Sequence, residues 1–197
     1  MDKLKMSETD QLIGMIKSGD MVDEAFCELH SRYEPLINSR VSAFFGSGSV
    51  ANEAKQEASI ALHNAVMSYD SDKCEGVTFG LFASICISNR LKTFYKKNVK
   101  ESELLDRFSE SDKLVSGLNL ESHVATVDFC ERVMKIAKSL LSDFEYKVFR
   151  LSFEQYATKD IAAMLGKTPK SVDNAKNRIS RHLRDNEEIR FILSDIK

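Results

Sequence analysis

The amino-acid sequence predicts an all-α fold with two small helical domains joined by a flexible linker. Two prolines and eight glycines in 197 residues leave long stretches without helix breakers. Apolar residues return at helical spacing along most of the chain, and runs of alternating β-branched residues are few. Between 101 and 125 this periodicity gives way to Ser, Glu, Asp and Gly, which marks a linker. The predicted domains are therefore residues 1–100 and 126–197.

Charge is distributed unevenly along the chain, whose net charge is only -2. Residues 88–100 carry five Lys or Arg and no acid, and residues 167–184 carry six against Asp173, so each segment has a charge of +5. Subtracting both from -2 leaves -12 on the remainder. Two basic islands in an acidic body predict two DNA-facing surfaces, with acidic surface left for protein partners.

Cysteine and histidine usage gives no sign of a metal or another cofactor. The four cysteines form no C-x-x-C pair, and the four histidines lack metal-ligand spacing. The absence of a signal peptide and of a long apolar span predicts a reduced, cytoplasmic protein that makes no membrane contact. The sequence also lacks a Gly-rich phosphate loop, a nucleophile elbow and a carboxylate pair, which argues against an enzyme.

Three helices are predicted before the first basic island. Residues 7–19 have a capping-box-like start and a terminal Gly, and residues 21–45 keep a helical period in which Pro35 marks a boundary or kink. Residues 50–69 form an alanine-rich helix with an apolar stripe facing inward: Ala58, Ala61, Leu62, Ala65 and Val66. Its polar positions are either solvated or bind a partner helix, and periodicity alone favours solvation.

The next helix, residues 78–97, starts apolar and ends basic. Phe94 and Tyr95 stand among its cations, a combination that holds single-stranded nucleic acid because rings stack on bases while ammonium groups follow phosphates. The alternative is that the rings belong to the core. We predict core positions for Phe79 and Phe82, whereas for Tyr95 both interpretations stay open.

The second domain resumes its helical pattern at Phe129, and Ser142-Asp-Phe-Glu145 resembles a cap that opens another helix. Residues 159–184 then form a helix-turn-helix motif, in which Gly166 provides the left-handed turn and Pro169 starts the second helix. That helix has an apolar stripe opposite the polar residues Lys170, Asn174, Asn177, Arg178 and Arg181. Such a face suits the major groove, although a plain solvated face is the alternative.

Several of these runs resemble the sigma-70 family of bacterial RNA polymerase sigma factors, in particular its sporulation-type sigma factor H group. Glu53-Ala-Lys-Gln-Glu57 is similar to the acidic-x-x-Gln-Glu signature of the helix that binds the clamp coiled coil of the β′ subunit. For the polar positions of the helix at residues 50–69, the resemblance favours binding to a partner helix over simple exposure to solvent. It implies that core polymerase is bound by Glu53, Gln56, Glu57 and Asn64.

The run from Phe79 to Leu91 resembles the family's promoter-melting and minus-ten-reading segment. Ile85 and Cys86 stand where housekeeping members have two tryptophans, which implies weaker melting and stricter promoter choice. The resemblance implies minus-ten contacts for Asn89, Arg90, Thr93, Phe94 and Lys97.

In the second domain, Leu140–Phe149 resembles the helix that meets the flap of the β subunit, and residues 159–184 resemble the minus-thirty-five-reading motif. The run Lys170-Ser-Val-Asp-Asn-Ala175 matches the sigma factor H group specifically. The resemblance implies minus-thirty-five contacts for Lys170, Ser171, Asn174, Asn177, Arg178 and Arg181.

The predicted function is therefore that of an alternative sigma factor, which binds core RNA polymerase and directs promoter-specific initiation of transcription. Its predicted partners are the polymerase, double-stranded promoter DNA and the melted non-template strand, with an anti-sigma factor as a further candidate. A helix-turn-helix regulator that acts without polymerase is the alternative. It would explain residues 159–184 but not the signatures at 53–57 and 79–97.

Overall fold

The computed structural model describes residues 8–45, 49–71, 74, 76–98 and 123–186, and all regular secondary structure within these ranges is helical. The predicted all-α fold is therefore confirmed for the described part of the chain. The helices are α1 Glu8–Ser18, α2 Val22–Phe45, α3 Ser49–Ser68, α4 Phe79–Asn98, α5 His123–Leu140, α6 Asp143–Phe153, α7 Thr158–Met164 and α8 Pro169–Asp185.

Local signals set the first helix boundaries. Gly19 follows α1 at φ +80°, and the amides of Gly19 and Asp20 donate to the carbonyls of Ile16 and Met15 at 3.3 and 3.1 Å. This arrangement closes the helix with a left-handed residue that glycine adopts without steric cost. In contrast, α2 continues through Pro35, so no helix boundary falls at that residue.

The core of the first half lies between α2, α3 and α4. The alanine-rich stripe predicted for α3 is buried throughout, which confirms its inward face. The Phe79 ring meets Tyr33 and Tyr69 edge-on at centroid distances of 5.5 and 5.3 Å. Such edge-to-face contacts add to the stabilisation from burial. Phe82 is 1% exposed, so the predicted core positions of Phe79 and Phe82 are confirmed.

Tyr95, for which two interpretations were open, belongs to the core. Its ring is 4% exposed and lies 6.4 Å from Phe44 and 5.4 Å from Phe45 between centroids. A ring held in this aromatic cluster has no face free for stacking on a base. The core interpretation is therefore the correct one for Tyr95.

In the second half, α5 begins at His123, earlier than the Phe129 at which the periodicity resumes. Thr126 is 3% exposed, so the additional turn is held by packing that helix propensity does not encode. The capping box predicted at the start of α6 is present: the Ser142 hydroxyl accepts from the Glu145 amide at 3.4 Å, and Glu145 Oε2 accepts from the Ser142 amide at 3.1 Å.

The two halves contact each other, because α4 packs against α5 and α6 as well as against α2 and α3. Buried side chains from both halves join in one hydrophobic core. Residues 101–122 of the predicted linker and the tail beyond Asn186 lie outside the described residues. None of the described helices is long and apolar enough to cross a membrane.

The predicted domain boundary leads to a test by limited proteolysis. The predicted linker, residues 101–125, is polar and aperiodic, and its last three residues lie in α5, so we expect the first cleavage between residues 101 and 122. Two helical fragments should result, identified by mass spectrometry. A single resistant fragment that spans the segment would contradict the two-domain organisation.

Candidate nucleic-acid interfaces

The turn between α7 and α8 has the geometry that its sequence predicts. Gly166 adopts φ +62°, and the Lys167 amide donates to the Ala162 carbonyl at 2.9 Å, which closes α7. The Thr168 side chain then caps α8 by accepting from the Ser171 amide at 3.2 Å, and Pro169 occupies the first helical turn. Glycine, threonine cap and proline together fix the angle at which the chain enters α8.

The apolar and polar side chains of α8 lie on opposite faces of the helix, as predicted. Val172 and Ala175 are 0% exposed and Ile179 is 6% exposed, and they form the back of the helix against α6 and α7. The polar side chains project away from that back: Lys170, Asn174, Asn177, Arg178 and Arg181 are exposed, and Ser171 is half-buried. The motif thus presents amides and cations together on one solvent-facing side, a chemistry that can read base edges and bind phosphates.

Arg178 forms an ion pair with a residue of another helix. Its Nε donates to Glu145 Oε1 at 2.6 Å, and Glu145 is 8% exposed at its side chain. The Arg178 hydrogen bond, with those from Ser142, lowers the pKa of Glu145 to about 2 although burial opposes this. The pair ties α8 to α6. Sequence reasoning missed it, since the partners are 33 residues apart and no local pattern joins them.

The described part of the first basic island, residues 88–98, lies at the carboxyl end of α4. Arg90, Thr93 and Lys97 are exposed, whereas Phe94 is half-buried with its ring centroid 5.5 Å from that of Phe45. Asn89 is half-buried as well, and its Oδ1 atom is buried without a hydrogen-bond partner among the described residues. The five predicted residues therefore share one end of one helix.

Lys92 belongs to the same region although it was absent from the predicted contact set. Burial, together with the neighbouring Lys96 ammonium, lowers the pKa of Lys92 to about 7. Its charge therefore changes near neutral pH, and an approaching phosphate would restore the charged form. The sequence shows a Lys in a basic run but gives no signal that this one is partly buried.

The candidate polymerase-binding residues lie on α3. Glu53, Gln56 and Asn64 are exposed, as a docking face requires. Glu57 is only 25% exposed at its side chain, and its Oε2 accepts from Arg90 Nε at 2.5 Å. This ion pair brings one residue of the predicted polymerase face into contact with one of the predicted minus-ten face. The two predicted surfaces are therefore adjacent.

Comparisons with known proteins agree with the motifs. No family model matches the chain, and no solved structure matches it. Among curated proteins it is 26% identical to the RNA polymerase sigma-H factor of Bacillus subtilis (strain 168), over 94% of this chain and 91% of that protein. It is 27% identical to the RNA polymerase sigma-H factor of Bacillus licheniformis, over 94% of this chain and 89% of that protein. These relatives confirm the resemblance of the chain to the sigma factor H group of the sigma-70 family.

Proposed function

We propose that the protein is an alternative sigma factor, which binds core RNA polymerase and directs it to promoters through their minus-ten and minus-thirty-five elements. The observation that carries the proposal is the similarity to two sigma-H factors over 94% of the chain. That span includes both basic islands and the α3 face, whereas a helix-turn-helix regulator would require only α7 and α8. An anti-sigma factor is a further candidate partner.

Polymerase docking is assigned to two helices. The exposed face of α3, with Glu53, Gln56 and Asn64, offers carboxylate and amide groups to the clamp coiled coil of β′, and Glu57 joins them at the edge of the face. The start of α6 is assigned to the flap of β. Polar contacts of this kind favour orientation and correct pairing of partners more than raw affinity.

Minus-thirty-five recognition is assigned to the exposed face of α8. An asparagine amide can make a bidentate contact with an adenine edge, and an arginine can bind a guanine edge or a phosphate. In this scheme Asn174 and Asn177 read bases, and Lys170 and Arg181 bind the backbone. Ser171 and Arg178 lie beside them, the latter oriented by Glu145.

Minus-ten recognition is assigned to the carboxyl end of α4. There the exposed side chains of Arg90, Thr93 and Lys97 offer polar groups and cations to DNA, and Asn89, whose Oδ1 has no hydrogen-bond partner among the described residues, lies on the same end of the helix. Phe94 adds an aromatic ring beside Phe45, at the edge of the cluster formed by Phe44, Phe45 and Tyr95. The protein would thereby lower the barrier to promoter opening by binding melted non-template DNA, with no covalent step of its own.

Promoter-directed transcription with reconstituted core polymerase tests the proposal. Addition of the chain to core enzyme should produce transcripts from specific start sites on a library of promoter fragments. Sequence-specific DNA binding in the absence of polymerase, combined with no co-purification with core enzyme, would favour the regulator instead.

The charge reversal Glu57→Lys is expected to weaken association with core polymerase by about tenfold or more, since it places a cation on an acidic docking face and also beside Arg90. The measurement is co-purification with core enzyme at several salt concentrations. Glu34→Lys, at an exposed position in the middle of α2, is the matched control and should bind as the unaltered chain does. Equal recovery of polymerase by both variants would remove Glu57 from the docking face.

A further inference from the structure

We propose that Lys92 of α4 is a site of N-acylation by small acyl phosphates, and that acylation removes a cation from the surface assigned to minus-ten DNA. The site consists of the Lys92 side-chain amine and the neighbouring ammonium group of Lys96. The reaction itself requires only the chain and the acyl phosphate. Its consequence for promoter binding rests on the proposed function, which assigns this end of α4 to DNA.

The first argument is the position of Lys92 on its helix. Lys92 falls in a stripe of α4 that repeats at helical spacing and whose other members are buried: Leu81, Ile85, Ser88 and Tyr95. Lys92 itself is half-buried. A lysine in such a stripe loses part of the hydration that stabilises its ammonium group. The position therefore disfavours the charged form of the side chain.

The second argument is the charge of the neighbouring residues. Lys96 follows Lys92 by one helical turn and is exposed, and like charges at this spacing repel each other. From Ser88 to Asn98, α4 carries no acid. Burial first, and the Lys96 ammonium second, lower the pKa of Lys92 to about 7. Near neutral pH, about half of the Lys92 side chains are therefore neutral amines.

A neutral lysine amine is a nucleophile, whereas an ammonium group has no electron pair to donate. Lysines that react as nucleophiles in proteins are those whose pKa is lowered by burial or by a second cation, and both conditions are met at Lys92. The contacts assigned under the proposed function give this amine no role. Its reactivity therefore needs a separate explanation, and acylation by an activated carbonyl supplies one.

The cations around Lys92 favour one class of acyl donor. Arg90, Lys96 and Lys97 are exposed at the same end of α4, so an anionic reagent concentrates there. Lys96 can bind a phosphoryl group while the attached carbonyl carbon lies one helical turn away, at the Lys92 amine. Acyl phosphates combine an anionic phosphoryl group with an activated carbonyl. They therefore fit this pair of lysines better than an uncharged electrophile does.

The proposed reaction is a transfer of an acyl group from phosphate to nitrogen. The electron pair of the neutral Lys92 Nζ attacks the carbonyl carbon, so that an N–C bond forms and the C–O bond to the phosphoryl group breaks. The phosphate leaves with that electron pair and takes up the proton that the nitrogen loses. Inorganic phosphate and an N-acyl-lysine result, and no oxidant or reductant is consumed.

The acylated side chain is a neutral amide at every physiological pH. Burial no longer opposes it, because no charge has to be dehydrated. The surface assigned to minus-ten DNA loses one cation, which weakens its attraction for phosphates. Acylation of Lys92 therefore lowers promoter binding without touching the residues assigned to base or polymerase contacts.

Incubation of the full chain with acetyl phosphate, followed by site-resolved mass spectrometry, tests the site. Lys97 is the internal reference, since it is exposed in the same cationic run. We expect Lys92 to be acetylated faster than Lys97 by on the order of tenfold or more at neutral pH, because its large neutral fraction outweighs the weaker nucleophilicity of a less basic amine. Equal rates at the two lysines would overturn the proposal.

The pH dependence of the rate shows whether the reactive amine is the one with the lowered pKa. The rate at Lys92 should level off above about 7, where its amine is neutral, and Lys96 is the charged neighbour that contributes to this. At an ordinary lysine, with a pKa of about 10.4, the rate rises to about pH 10. A rate at Lys92 that also rises to about pH 10 would contradict the proposed site.

The substitution Lys96→Gln tests the second member of the site. It removes the cation that binds the phosphoryl group and that lowers the pKa of Lys92, so acetylation of Lys92 should slow by about twofold or more. Lys96→Arg is the matched control, because it keeps the charge at the same exposed position and should preserve the rate. An unaltered rate in Lys96→Gln would remove Lys96 from the site and, with it, the preference for acyl phosphates.

Transcription with reconstituted core polymerase separates this proposal from the proposed function. Treatment of the chain with acetyl phosphate should lower promoter-directed transcription by about threefold or more, since one cation near DNA is lost. Lys92→Arg keeps a cation that acetyl phosphate does not acylate, so treatment should leave its transcription unchanged. An equal loss in both proteins would overturn the consequence assigned to Lys92. If the untreated chain directs no transcription, the proposed function is wrong, while the acetylation rates still decide whether Lys92 is the site.

Discussion

Replacing Glu145 with alanine is expected to lower the free energy of unfolding by about 2–3 kcal/mol at neutral pH. The Glu145 carboxylate completes the capping box with Ser142 and also accepts from Arg178 at 2.6 Å, so one substitution removes a helix cap and the ion pair between α6 and α8. Because Arg178 is 43% exposed at its side chain, water partly replaces the lost partner and limits the cost.

The pH dependence of this effect follows from the direction of the pKa change. The pKa of Glu145 falls from 4.5 to about 2 in the folded chain, so the folded state holds this carboxyl ionised more strongly than the unfolded state does. Its contribution is fully present above 4.5 and is lost as the pH falls toward 2. The difference in stability between the unaltered chain and Glu145→Ala should therefore shrink across that window.

Urea unfolding followed by circular dichroism, repeated from neutral to acid pH, measures both predictions. Asp143→Ala is the matched control, because Asp143 lies in the same first turn of α6 but is exposed. Its loss should cost about 0.3–1 kcal/mol through the helix dipole alone. An effect of Glu145→Ala no larger than that of Asp143→Ala, or one that persists unchanged in acid, would show that the pair with Arg178 contributes little.

The features that the sequence predicts correctly are those set by neighbours along the chain. Gly166 and Pro169 define the turn of the helix-turn-helix motif, and Ser142 with Glu145 defines a cap, because each depends on residues within one turn of helix. Amphipathic periodicity likewise predicts the buried faces of α3 and α8. These signals need no knowledge of which helix packs on which.

The features that the sequence did not predict depend on contacts between distant elements. The pairs Glu57–Arg90 and Glu145–Arg178 each join residues 33 positions apart. The burial of Tyr95 depends on rings from α2, and periodicity cannot say whether a ring at the edge of a basic run faces the core or the solvent. The packing of α5 and α6 on α4 likewise depends on contacts between elements that are distant in the sequence. No local pattern records that Gly80 lies so close to the backbone of α6 that a Cβ there would be 1.8 Å from the Phe153 carbonyl oxygen.

The candidate site residues also divide into those whose placement follows from helical spacing and those whose placement depends on a contact with another helix. For Lys170, Asn174, Asn177 and Arg181, helical spacing predicts a shared face, and the structure exposes all of them on one side of α8. Helical spacing places Arg178 and Glu57 away from the apolar stripes of their helices. It does not predict that Glu145 and Arg90, from other helices, pair with them and orient their side chains. Their roles at the polymerase and at DNA are predictions that binding experiments must test.

The substitution Asn174→Ala is expected to relax the choice of base at one position of the minus-thirty-five element, by about 1–3 kcal/mol of discrimination if the amide makes a bidentate contact with a base. Asn174 is exposed near the start of α8, the end of a recognition helix that approaches base edges. Arg181 is exposed nearer the other end, so its guanidinium is assigned to a phosphate. Arg181→Ala should weaken all sites alike.

Selection from random minus-thirty-five sequences by reconstituted polymerase, combined with salt titrations, tests both assignments together. The unaltered chain and Arg181→Ala should select the same sequence. For Arg181→Ala, the slope of the logarithm of the binding constant against the logarithm of the salt concentration should be smaller by about one. Asn174→Ala should keep the salt dependence and accept other bases at one position. Ser180→Ala, at an exposed position of α8 outside the predicted contact set, is the control and should change neither. Selection of one sequence by all four proteins would remove the base-reading role of Asn174, and an unchanged salt dependence in Arg181→Ala would remove the phosphate contact.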